Sequence, residues 1–249
     1  MLQRRVVVSG GGTGIGLATA RRFAADGDRV VLLGRREDVL RTAAKELNDA
    51  HGESTADWYA ADLSDPEQVC GAVEFITADE TPLGVLVANA GGNVAPSHDG
   101  SLASIADSYR RNFDANVLTA VLLTEALLPH MRRPGGRIIQ LSSIASLRGA
   151  GSYGGSKGWI NSYTYDLAQR LGPEGVTANA VAPGFVADTE FFGDRATPDF
   201  VASRVAQSLT GRAGLPSEIA AAVHYVASPE AAYMTGQLLH INGGAALGR

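Results

Sequence analysis

The sequence predicts an α/β fold in which a parallel sheet is covered by helices on both faces. Three observations carry this. Short β-branched runs alternate with longer helical patterns along the chain, the order expected of right-handed strand–helix–strand units. Several runs (VVV, VVLL, VLVA) are apolar without a break, as strands buried on both faces are. The first run leads into a glycine-rich turn and then a helical pattern, the context in which a glycine loop carries meaning.

The elements follow in order. A strand over 5–9 enters the glycine loop, and a helix over 14–25 ends at Asp26-Gly27, a plausible C-terminal cap. A strand over 29–34 precedes a helix over 37–50. After a strand over 57–61, Ser64-Asp65-Pro66-Glu67 has capping-box spacing with proline in the first turn, and opens a helix to residue 78. The strand over 83–88 is followed by a long helical region, 102–131. The strand over 136–141 runs through a serine pair and a glycine-rich stretch into a helix over 153–171. A strand over 176–181 is followed by residues 185–212, where Thr, Asp, Phe and Gly occur in irregular order. That stretch is expected to be a mobile segment over a pocket, with a short helix near 199–208. A helix over 217–227 and a strand over 238–241 complete the pattern. With no repeat and no Pro/Gly/Ser linker, residues 1–249 read as a single domain.

Composition narrows the function. The chain is 45% hydrophobic and 19% charged over 249 residues, enough apolar material for a substantial core. A formal charge of −5, with basic residues paired at Arg4-Arg5 and Arg132-Arg133 and forming no stripe, gives no reason to expect nucleic acid. The lone cysteine, Cys70, excludes an internal disulfide framework and reads as a packed helix residue. No apolar run approaches the length of a membrane span and the start has no signal-peptide pattern, so a cytoplasmic location and no membrane partner are expected. The sequence shows no metal-ligand cluster, and none is expected.

The glycine loop reads VVVSGGGTGIG over residues 6–16. Gly10 allows the tight turn, Gly12 and Thr13 can offer backbone N–H groups, and Gly14, Ile15 and Gly16 start a helix close to a phosphate. A helix N-terminus has unpaired donors and a positive partial charge, which suit a pyrophosphate. No Lys-Ser/Thr pair follows the glycines, so a nucleoside-triphosphatase loop is excluded. The second strand ends Gly34-Arg35-Arg36. An acidic residue there would hold the ribose 2′-hydroxyl of NAD, whereas guanidinium suits a 2′-phosphate. NADP(H) is therefore the expected cofactor, with Arg35 as the main contact and Arg36 beside it.

Tyr153 and Lys157 lie one helical turn apart and share a face. The chain has seven tyrosines but only two lysines against nineteen arginines, so a lysine at this spacing is rare by chance. A phenol near pKa 10 is a poor acid–base group at neutrality, and a neighbouring ammonium is expected to lower it. Tyr153 could then exchange a proton with a carbonyl oxygen, and a nearby serine could hydrogen-bond the same oxygen.

In motif order the chain resembles the short-chain dehydrogenase/reductase family. Ser9 precedes Gly10-x-x-x-Gly14-x-Gly16 where that family has Thr; Asn89-Ala90-Gly91 matches its Asn-Ala-Gly motif; Tyr153 and Lys157 match its Tyr-x-x-x-Lys. The resemblance implies a Rossmann-like, doubly wound seven-stranded parallel sheet of order 3-2-1-4-5-6-7. It implies Asn116, Ser143, Tyr153 and Lys157 as the catalytic group, with Asn116 supporting a water chain to the lysine. It places Asp62 and Leu63 beside the adenine, and Pro183, Gly184, Val186 and Thr189 near the nicotinamide. It implies a homotetramer or homodimer, with the helices over 107–131 and 153–171 at one interface. Asn242-Gly243-Gly244 stands where the family has Asp-Gly-Gly. There are departures. The span from Ser143 to Tyr153 is short for the family, leaving Ser142 as an alternative to the preferred Ser143, and Asp188 occupies the position at which the family has the threonine assigned to Thr189.

A small-molecule carbonyl or alcohol substrate follows, in a pocket shaped by residues 92–97, 146–150 and 185–192. Val94, Leu147, Phe191 and Phe192 make it apolar, and His98 reads as a solvated loop residue. Ketone or 3-oxoacyl reduction leads; alcohol or sugar oxidation is an alternative. A non-catalytic NADP-binding protein is a further alternative, disfavoured because the Tyr–Lys pair is present.

Overall fold

A computed structural model describes residues 4–79, 81–95 and 97–247. Strands and helices alternate: β1 (Arg5–Ser9), α1 (Gly14–Ala25), β2 (Arg29–Gly34), α2 (Glu37–His51), β3 (Ala56–Ala60), α3 (Pro66–Ile76), β4 (Leu83–Ala88) and α4 (Leu102–Phe113). A π-turn over Asp114–Leu118 joins α4 to α5 (Thr119–Leu127). Then come β5 (Arg137–Leu141), α6 (Ala145–Arg148), α7 (Gly151–Leu171), β6 (Thr177–Pro183), α8 (Pro198–Val205), α9 (Pro216–Val226) and β7 (Leu238–Ile241). All strand pairs are parallel, in the order β3-β2-β1-β4-β5-β6-β7. The order reverses between β1 and β4, which leaves a crevice above their carboxyl ends.

The unbroken apolar runs are explained by burial on two sides. Val6 and Val8 of β1 pack into one core with Phe23 of α1, Leu40 of α2 and Val223 of α9. Val7, between them, faces a second core with Leu123 of α5, Leu167 of α7 and Ile76 of α3. Alternate residues point to opposite faces, so each position in VVV must be apolar.

Three local expectations are corrected. The α3 cap is Asp65, whose carboxylate accepts from the Glu67 and Gln68 N–H groups, while Ser64 donates to Asp62. Pro66 keeps the residue before it extended, and that makes Asp65 the cap. Cys70 lies on α3 but is exposed, because Val69, Ala72 and Ile76 form the buried stripe. Helix α7 begins at Gly151, before Tyr153. Its glycines differ in purpose: a Cβ at Gly154 would meet the Ala145 carbonyl at 2.8 Å, so α6 needs that glycine, while Gly155 and Gly158 face open space.

The segment after β6 is irregular up to α8, which Thr197 caps by accepting from the Phe200 N–H. Its exposed Glu190 is bound to Arg36 at the end of β2, 2.6 Å away. No helix among the described residues is long and apolar enough to cross a membrane.

Candidate active site

The crevice is a cleft of about 1210 Å³. It is lined by the glycine loop, the β2 end, the loop after β4, the serine pair after β5, Tyr153, Lys157, and the stretch from Pro183 to Thr189. Pro96, within the expected pocket loop 92–97, lies outside the described residues.

The floor is built by close packing. Gly10 has φ +63°. A Cβ at Gly16 would intrude on the Gly10 carbonyl oxygen and come within 2.7 Å of Asn89 Nδ2. Asn89 Nδ2 donates to the Ser9 and Gly10 carbonyls at 2.9 and 3.2 Å. The Ser9 hydroxyl accepts from the Asn89 and Ala90 N–H groups, both at 2.9 Å. Ser9 and Asn89 thus fasten the carboxyl ends of β1 and β4 together and shape the loop. Thr13 is the α1 N-cap but makes no side-chain cap bond, and no acidic residue sits in the first turn. The first-turn donors and the positive end of the helix therefore face the cleft. Gly12, Thr13, Gly14 and Ile15 all line it. This cradle, open only because side chains are missing, fits a dinucleotide pyrophosphate.

At the β2 end, Arg36 is neutralised by Glu190. Arg35 makes no salt bridge among the described residues. It lies close enough to Asp62 to help hold that carboxyl below its usual range, after the larger effect of the hydrogen bonds from Ser64. Leu63 is buried in the second core and also lines the cleft. Asp188 has φ +55°, a conformation Asp tolerates better than most residues. The turn it makes brings Thr189 opposite Gly14, whose Cβ would stand 3.4 Å from the threonine methyl.

Tyr153, Lys157, Ser143 and Asn116 come together at the other end. Ser143 stands beside the Tyr153 phenol, near enough to pull its pKa down a little. The Ser142 hydroxyl is engaged elsewhere, donating to Asn161 Oδ1 at 2.5 Å. Lys157 Nζ is buried and donates to the Leu141 carbonyl at 2.8 Å. Asn116 Nδ2 donates to the Gly92 and Asn112 carbonyls at 2.8 and 2.9 Å, and its Oδ1 accepts from the Gly92 N–H at 3.0 Å. The Asn112 carbonyl lies beside the π-turn, where the regular ladder is interrupted. Asn116 Oδ1 and Lys157 Nζ both abut Gly91, 2.6 and 3.3 Å from where its Cβ would be.

The expected acidic phenol is not found. Burial pushes the Tyr153 phenol up to about 12, against a smaller opposing pull from Ser143. Burial also pushes the Lys157 ammonium down to about 8. Desolvation penalises both charged forms, so burial moves the lysine toward neutrality and the tyrosine away from it.

Two supports were not read from the sequence. Asn161 bridges Ser142 and Ser146, its Nδ2 donating to Ser146 at 3.1 Å, and so steadies the short loop carrying Ser143. It lies one turn beyond Lys157 on α7, a spacing that could have flagged it. Ser152, beside Tyr153, bonds Ser108 and Asn112 of α4, both at 2.9 Å, and ties down the start of α7.

The chain is similar to known proteins along nearly its whole length. A family model described as "Enoyl-(Acyl carrier protein) reductase" matches residues 10–246. The chain is 39% identical to the Short-chain reductase protein NovJ of Streptomyces niveus, over 96% of this chain and 92% of that one. It is 36% identical to a galactitol 2-dehydrogenase (L-tagatose-forming) of Cereibacter sphaeroides, covering 95% and 92%. A mutant short-chain dehydrogenase/reductase of Serratia marcescens has a solved structure that superposes with TM-score 0.88 at 32% identity, covering 99% of each chain.

Proposed function

The chain belongs to the short-chain dehydrogenase/reductase family, whose members are NAD(P)-dependent oxidoreductases, and on that premise we propose that it is an NADPH-dependent ketoreductase with Tyr153 as its acid–base group. The observation that carries this is the gathering of Ser143, Tyr153 and the buried Lys157 in one cleft, with Ser143 beside the phenol and Lys157 one helical turn away.

The reduced nicotinamide, when bound, supplies the hydride. The cradle at Gly10–Gly16 orients the pyrophosphate, and Arg35 holds the 2′-phosphate. Asp62, Leu63 and the Asn89–Gly91 stretch border the adenosine half. Pro183, Gly184, Val186 and Thr189 border the nicotinamide half. Ser143 donates a hydrogen bond to the substrate carbonyl oxygen. Tyr153 delivers its proton to that oxygen as negative charge develops there, and the Lys157 charge stabilises the phenolate left behind. A phenol near pKa 12 stays protonated across the working range, so the proton is in place for reduction, and the Lys157 charge must ease its departure as the oxyanion forms. Asn116 holds Gly91-Gly92 against the lysine and keeps one acceptor lone pair free for a water leading to it.

We extend the proposal to assembly and dynamics. Phe113 and Trp159 are 39% and 38% exposed and in edge contact on α4–α7, and this apolar face supports a homodimer or homotetramer. Residues 185–212 act as a movable cover over the substrate end. A cytoplasmic location remains part of the proposal.

The direct test is cofactor consumption against a ketone panel with NADPH and with NADH. NADPH is expected to be preferred, and Arg35→Ala to weaken NADPH binding by roughly tenfold or more, as loss of a charge-assisted phosphate contact should. Equal efficiency with both cofactors removes the role of Arg35. The pH dependence follows from Lys157. Its ammonium is present below about pH 8 and is lost above it, so kcat/KM for ketone reduction should fall as pH rises through about 8. Initial rates from pH 6 to 10 check this; a rate rising through that range would contradict it.

A further inference from the structure

We propose that the substrate is an anionic ketone, whose apolar body lies among Phe185, Phe191 and Phe192 and whose carboxylate or phosphate is received by Arg148 and Arg204. The proposal rests on the ketoreductase reading and names the substrate class for that same cleft.

The protein is acidic, with a formal charge of −5, yet the cleft is not. Asp62, Asp114 and Glu190 are its acidic lining residues, against six arginines and Lys157. The dinucleotide accounts for Arg35, and Glu190 pairs Arg36. These two arginines stand at the end of β2, while Arg148 closes α6 just past β5, three strands away in the sheet. At about 4.8 Å per strand that is roughly 14 Å, beyond what one 2′-phosphate reaches.

The substrate end is built of rings and guanidinium groups. Tyr153 and Phe191 have ring centres 5.5 Å apart, Phe191 and Phe192 4.8 Å, and Phe185 and Phe192 5.2 Å. The apolar wall therefore begins at the phenol itself and runs outward. At its outer end Arg204 lies over the Phe200 ring, 4.8 Å from the centre. Arg148 donates to Gln207 Oε1 at 2.6 Å, and the Gln207 N–H donates to the Arg204 carbonyl at 3.2 Å. Gln207, three residues past Arg204, thus anchors Arg148 beside the end of α8, and both arginines line the cleft. Neither arginine has a carboxylate partner among the described residues. Arg111, by contrast, has Asp107 at 3.7 Å. A guanidinium held by a ring, as Arg204 is, or by a neutral amide, as Arg148 is, keeps its charge and its remaining donors available for an oxyanion.

The test uses the full-length protein and a matched set: an aryl hydroxy acid, its phosphonate and its methyl ester, with the corresponding ketones as substrates. Calorimetry should find the acid or the phosphonate bound about tenfold more tightly than the ester, as a charge-assisted contact predicts. The same order should appear in kcat/KM of the ketones. In the Arg148→Gln/Arg204→Gln double variant the anion-to-ester ratio should collapse toward one, and 0.5 M salt should narrow it in the wild type. A separate melting curve shows that the variant is folded. Equal binding of ester and anions by the wild type, or an unchanged ratio in a folded double variant, overturns the proposal. If no ketone is reduced but the anions still bind preferentially and lose that preference in the variant, the reductase reading fails and the anion site stands.

Discussion

Tyr153→Phe is expected to lower kcat for ketone reduction by about 10²- to 10⁴-fold, the usual contribution of a positioned general acid. The substitution removes one hydroxyl and keeps the ring, so its contact with Phe191 survives. The neighbour left behind is the Ser143 hydroxyl, which is only partly buried and can turn to water. Stability should change by no more than about 1 kcal/mol, the worth of one neutral hydrogen bond. Dinucleotide affinity should move little, because the glycine cradle and Arg35 are untouched. The measurement is single-turnover NADPH oxidation with a saturating ketone, beside a cofactor titration and a melting curve. Turnover at the wild-type level in a folded variant would remove Tyr153 from the chemistry. A loss accompanied by a collapsed melting temperature would show a packing role instead.

The second large effect is expected at Gly16→Ala. The added methyl would overlap the Gly10 carbonyl oxygen and press on the Asn89 amide that bonds it. Both neighbours belong to the backbone turn or to its fastening, so neither can swing aside as a surface side chain would. Forcing a methyl into such a site costs about 1–3 kcal/mol, and where that strain falls on the loop it weakens the dinucleotide by about 5- to 150-fold. Isothermal titration with NADPH, read beside thermal unfolding, gives the division between affinity and stability. An unaltered dissociation constant would show that the phosphate is held elsewhere.

Much of this was legible in the chain because strands buried twice cannot hide. Val6-Val7-Val8 must be apolar at every position, and so must Leu83 to Ala88. The spacing of Tyr153 and Lys157 on one helix needs no tertiary knowledge. The preference for Ser143 over Ser142 rests on order after the strand; the engagement of Ser142 by Asn161 depends on a partner nineteen residues on, which that order does not reveal. What was not legible depends on three dimensions. The π-turn at Asp114–Leu118 is a change of one residue in a backbone ladder and leaves no compositional mark. Helix α6 has four residues, too few to show a period. The tyrosine's acidity was misjudged because a spacing of four reveals the neighbouring charge but not the burial that opposes it. Asn161 escaped because its partners, Ser142 and Ser146, lie on the loop after β5.

Asn116 carries a consequence for anyone interpreting its removal. Its amide quiets the loose Asn112 carbonyl beside the π-turn and pins Gly92 at both polar atoms. It is therefore a joint as well as a neighbour of the lysine. An alanine there would slacken the mechanical coupling of two backbone segments at once, so a fall in rate would confound architecture with chemistry. Aspartate, which keeps an acceptor but forfeits both donors, also sets a negative charge near Lys157 and should raise its pKa, so its pH profile, read beside alanine's, distinguishes a loosened joint from an altered lysine.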